Sequence, residues 1–185
     1  MPFLTNIKER LFRKRMEEET SRPPVEKPGE KVSLFTSKEI TILFIADSAE
    51  DRKAVDKWRD TNRRSGTKIK VIGFFEQEVG SASFDFEVVS IKDLNWYGVP
   101  QGDVVKRIQS DATDLLLRLG PDRHPVLDFL ATTKPAKLKV GPFAKDSTNP
   151  YHLQFDGSLS VKLKDQLAAI EQIFTFTNAT NASKV

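Results

Sequence analysis

The chain has 185 residues, 38% of them hydrophobic and 30% charged, with 13 Phe and 2 Trp. That is enough for one ordinary domain plus an appendage, and too aromatic for a wholly disordered chain. Zero Cys removes disulfides, cysteine-ligated metal and thiol catalysis, and two His leave no room for a His-rich metal site, so neither a metal nor a cofactor is expected.

The first twenty residues read as an amphipathic helix. Phe3, Leu4, Ile7, Leu11 and Phe12 recur at three- to four-residue spacing, with Lys8, Arg10, Arg13, Lys14 and Arg15 around them. Residues 1–16 hold those five cations and one acid, Glu9, for a net +4, while the whole chain carries +3. The positive charge therefore belongs to the helix, and the remainder is slightly acidic. Charges interrupt every apolar run, so the segment is neither a signal peptide nor the roughly 18 apolar residues of a membrane span. A cytoplasmic protein is expected, with peripheral contact to an anionic inner membrane as an option. Residues 21–32, with Pro23, Pro24, Pro28 and Gly29, read as an extended linker.

The domain is expected over 33–177, with a frayed tail at 178–185. Ile40 to Ile45 is a continuous apolar run that suits a strand buried on both faces. Ser48 with Asp51 three residues on starts a helix that carries Val55 and Trp58 inward. Lys68 to Phe75 is the second strand and Phe84 to Ile91 the third. Asp93 to Pro100 is turn-rich, and Gln101 to Asp111 reads as a helix. Asp114 to Leu119 is the fourth strand. His124-Pro125 opens the next helix, with Pro at its first position. Ala136 to Val140 and Tyr151 to Phe155 are further strands, and an amphipathic helix spans Leu159 to Phe176. Strands alternating with helices predict an α/β fold: a single open, mostly parallel sheet with helices on both faces, Rossmann-like or flavodoxin-like.

In such sheets ligands sit beyond the carboxyl ends of the strands. Asp47 and Ser48 lie at one such end, where a carboxylate can hold magnesium or a ribose and a serine can cap a helix. Asp122, Arg123 and His124 follow the fourth strand, where an arginine beside a helix start suits phosphate. Trp96 stands in an Asn-Trp-Tyr-Gly turn able to stack on a base or sugar. Lys134, Lys137, Lys139 and Lys145 surround the fifth strand and suggest a half-exposed edge. Glycine-rich phosphate loops, the nucleophile elbow and the HExxH zinc motif are all absent.

The order of motifs adds a resemblance. Phe3 to Arg15, the Asn95-Trp96-Tyr97-Gly98 turn before Pro100, Asp114 to Leu119 and Ala136 to Gly141 together resemble a family of short cytoplasmic Bacteroidota proteins known only as a domain of unknown function. The resemblance spans Phe3 to about Phe174 and implies an α/β fold with no assigned activity. Asp114 to Gly141 is also locally similar to the N-terminal half-domain of heptosyltransferase-type glycosyltransferases. Those enzymes need a second half to hold the nucleotide sugar, which 185 residues do not supply.

The function expected is a non-enzymatic α/β interaction or adaptor module. It would dock a protein partner, or a second copy, through its N-terminal helix. The alternatives are a small-ligand or nucleotide-phosphate binder at the sheet rim, and an RNA- or ribosome-associated protein.

Overall fold

The computed structural model describes residues 2–20, 32–80, 82–144, 150–157 and 162–182, with 2–4 and 178–182 described by backbone alone. Of the expected linker only Val32 falls within these residues, and Lys145 lies outside them.

Six strands form one sheet. They are β1 (Glu39–Ile45), β2 (Lys68–Phe75), β3 (Glu87–Ser90), β4 (Thr113–Arg118), β5 (Ala136–Pro142) and β6 (Leu153–Phe155), in the order β3-β2-β1-β4-β5-β6. Every neighbouring pair is parallel. This is the Rossmann order, not the flavodoxin one, and its switch point lies between β1 and β4. The helices are α1 (Pro2–Thr20), α2 (Ala49–Asn62), α3 (Asp103–Ser110), α4 (Pro125–Thr133) and α5 (Leu163–Ala182).

The sheet has a core on each face because its central strands are apolar on both sides. Ile40, Ile42 and Phe44 of β1 point one way, joining Leu115 and Leu117 under Val55 and Trp58 of α2 and Leu167 and Ile170 of α5. Leu43 and Leu116 point the other way, with Val105 and Ile108 of α3 and Leu127 and Leu130 of α4. Helix α1 then lies outside α4, where the Phe12 and Phe129 rings stand 6.3 Å apart.

Three local outcomes differ from the sequence expectations. The third strand shrinks to Glu87–Ser90 because Phe84 and Phe86 fold over Phe75, with centroids 5.0 and 6.4 Å away. Lys134 is 1% exposed and does not decorate an edge. Its ammonium donates to the Ile108 and Asp111 carbonyls at 3.3 and 2.6 Å, satisfying the C-terminal end of α3. The last helix begins at Leu163 and continues to Ala182, beyond the expected end at Phe176.

Candidate functional site

The switch-point crevice holds the first pair of expected residues. It encloses about 420 Å³ between Asp47, Ser48, Asp51, Gly120, Asp122 and Gln166. Asp47, Ser48 and Gln166 are engaged in holding the fold. Ser48 caps α2, its Oγ accepting from the Asp51 amide at 3.3 Å. Asp47 Oδ2 accepts from the Glu76 amide at 3.0 Å and so ties β1 to the end of β2. Gln166 accepts from the Gly120 amide at 2.8 Å and donates to its carbonyl at 3.1 Å, which pins α5 to the β4 end. Burial, with Glu50 beside it, raises the Asp51 carboxyl above its ordinary range. Three carboxylates line this crevice, and Glu50 and Asp51 already occupy the first turn of α2. This lining disfavours an anion. Among the described residues no group of three His, Cys, Asp or Glu is placed to hold a metal.

The loop after β4 separates its three expected residues. Asp122 faces the switch-point crevice and a hollow beneath α1. His124 turns inward and is the N-cap of α4, its Nδ1 accepting from the Leu127 amide at 3.2 Å. That bond leaves the ring proton on Nε2, which stands 3.4 Å from Glu76 Oε1. The ring meets Phe74 edge-on at 5.3 Å. Burial lowers the His124 pKa, and Glu76 offsets only part of it, so the ring is neutral at neutral pH.

Arg123 and His124 instead join residues from distant parts of the chain. A groove of about 800 Å³ runs between α1 and the carboxyl rim of β2 and β3. Lys8, Phe12 and Arg13 form its α1 wall, Phe74 and Glu76 its floor, and Leu94 and Tyr97 its far side. The far side is a built turn. Asn95 Oδ1 accepts from the Tyr97 and Val99 amides at 3.1 and 3.0 Å, and Gly98 takes φ +91°, which side chains disfavour. Trp96 is 60% exposed and packs edge-on against Tyr97 at 5.2 Å.

Sequence reasoning missed a buried polar cluster beside this groove. Arg118 ends β4 with no exposed surface, and its Nη2 lies 3.0 Å from Asp128 Oδ1 in the first turn of α4. Its other terminal nitrogen donates to the Pro121 carbonyl. Asp128 also accepts from the Tyr151 hydroxyl at 2.7 Å and the His124 amide at 2.9 Å. Burial and Asp128 both raise the Tyr151 pKa, so the phenol keeps its proton. Tyr151 fits only because residue 141 is glycine, where a Cβ would stand 2.6 Å from its ring. The available signal was Arg118 itself, a charge inside an apolar strand on the core-facing alternation.

Helix α1 divides its apolar residues. Phe12 and Met16 are half-buried toward the domain, and Glu19 is buried behind them. Leu11 is 36% exposed, and Ile7 and Leu11 line a hollow whose described walls all belong to α1. At 3.6 residues per turn the two pairs point roughly 140° apart. Arg10 and Lys14 flank the outward pair. Lys8 and Arg13 lie on the groove side, and Arg15 pairs with Glu19 at 2.7 Å. The side chains of Phe3 and Leu4 lie outside the described residues. No described helix is long and apolar enough to cross a membrane.

Residues 8–176 match the model described as a family of unknown function (DUF6913), and the chain belongs to that family. No curated protein and no solved structure matches it, so the local likeness to heptosyltransferase-type enzymes gains no support.

Proposed function

We propose that this chain is a non-enzymatic α/β interaction module that docks a protein partner through the outward face of α1. One observation carries the reading. The domain holds α1 by Phe12 and Met16, and among the described residues only α1 lines the hollow at half-buried Ile7 and at Leu11, beside Arg10 and Lys14. A helix kept only for its own domain has no use for a second apolar stripe. Covering the remaining surface of those two side chains contributes roughly 1–3 kcal/mol, which alone gives millimolar binding or weaker. The flanking cations must add to it, so the partner is an apolar groove with an acidic rim. Asp47 and His124 in the rim loops are taken up by backbone amides, which argues against a reaction centre at those two residues.

The test compares the full chain with the Ile7→Glu/Leu11→Glu variant in pull-down from cell extract and in a sedimentation concentration series. The reading expects captured partners, or a self-associated species, that disappear in the variant. An identical partner set and an identical monomer for both chains would refute it. A second reading, peripheral contact with an anionic cytoplasmic membrane, is favoured by Arg10 and Lys14 beside the stripe. Co-sedimentation with phosphatidylglycerol vesicles but not with phosphatidylcholine vesicles would establish that reading in place of the first. RNA association would show instead as strongly salt-dependent nucleic-acid binding.

A further inference from the structure

We propose that the groove between α1 and the β2–β3 rim binds a small amphipathic anion: an apolar body carrying one carboxylate, sulfonate or phosphate monoester. The groove's volume, about 800 Å³, lies in the range of small-molecule sites. Its walls are of the two kinds such a ligand needs. Phe12 and Leu94 offer a partly exposed apolar bed above the buried Phe74 and Val126, and Ile91 extends it outward with 41% of its surface exposed. Lys8 and Arg13 reach over that bed from α1, and among the described residues neither closes an ion pair. The facing carboxylates are Glu9 and Glu76, the latter 3.4 Å from the neutral His124 ring.

The charge balance selects the head group. Three cations, Lys8, Arg13 and Arg123, outnumber two carboxylates, Glu9 and Glu76, so the lining carries a net +1 that favours an anion. An anion pairs with Lys8 and Arg13 while its body covers Leu94 and Ile91. This site goes beyond the docking function; Arg13 lines both the groove and the outward hollow, so Lys8 and Ile91, which line the groove alone, separate the two.

Dodecanoate, below its micelle concentration, is the probe, and dodecanol is its neutral control. Binding is read by thermal shift and by Trp96 emission in a Trp58→Phe background. The full chain is expected to bind dodecanoate and to bind dodecanol much more weakly. Lys8→Glu/Arg13→Glu should weaken dodecanoate binding about 10- to 100-fold, the scale of lost charge-assisted bonds. Ile91→Asp, on the opposite wall, should also weaken it, which separates a lost site from an undocked helix. Lys53→Glu, exposed on α2, should leave it unchanged. Equal binding of dodecanol, equal loss in Lys53→Glu, full retention in either groove variant, or no binding to the full chain would each overturn the proposal.

Discussion

Removing the Asp128 carboxylate tests the cluster beneath α1. The Asp128→Ala chain keeps Arg118 with no exposed surface and takes away the carboxylate 3.0 Å from it. It also strips the Tyr151 hydroxyl and the His124 amide of their acceptor. A buried charge left without its partner costs about 3–5 kcal/mol. For a chain of this size each kcal/mol moves Tm by about 2–4 °C, so the expected drop is about 6–20 °C. Urea denaturation followed by circular dichroism and by Trp fluorescence gives the free energy directly, and coincident curves license a two-state reading. The triple variant Arg118→Met/Asp128→Leu/Tyr151→Phe replaces the whole cluster with apolar groups of similar size. It should recover most of the loss, because the penalty lies in the orphaned charge and not in the absence of the pair. A loss below about 1 kcal/mol in Asp128→Ala would refute the reasoning, since Arg118 would then have to reach water.

Burial holds the His124 and His152 rings below their ordinary value of 6.5. The unfolded chain therefore takes up protons first, and stability falls as pH drops below 6.5. His124→Asn keeps a capping acceptor and should flatten that slope in acid titrations of unfolding free energy. Lys139 donates to the Thr132 carbonyl at 3.0 Å, and burial lowers its pKa from 10.5 to about 8. Between about 8 and 10.5 the unfolded chain binds the extra proton, so stability should rise with pH across that window, and rise less steeply in Lys139→Met, where buried Lys134 still contributes. Gly141→Ala would drive a methyl to 2.6 Å from the Tyr151 ring and should cost about 1–3 kcal/mol, as overpacking does, with unfolding free energy as the measure.

Much of the architecture was legible because the central strands are apolar runs too short for helices, bounded by caps and turns. Ile40 to Ile45 and Asp114 to Leu119 sit where those runs place them. Ser48 and His124-Pro125 act as the caps their types imply. Tertiary partners were not legible. Lys134 looks like a surface lysine until α3 brings the Ile108 and Asp111 carbonyls to it across more than twenty residues. Likewise Tyr97, His124 and Lys8 share a groove only because α1 folds back over α4. The spacing of apolar residues in α1 held two faces, which a loose three-to-four rule merges into one. Helix geometry separates them, and the aromatic surface at Phe129 decides which one docks.

The docking function and the groove both require α1 to be seated by Phe12 and Met16 with Leu11 turned out. The absence of Cys permits a direct test by single-cysteine alkylation in the full chain. The account predicts that Leu11→Cys reacts at nearly the rate of a free thiol, while Met16→Cys is clearly protected in the same buffer. Urea sufficient to unfold the chain should remove the difference. Equal rates at the two positions in the native chain, or faster reaction at position 16, would contradict it.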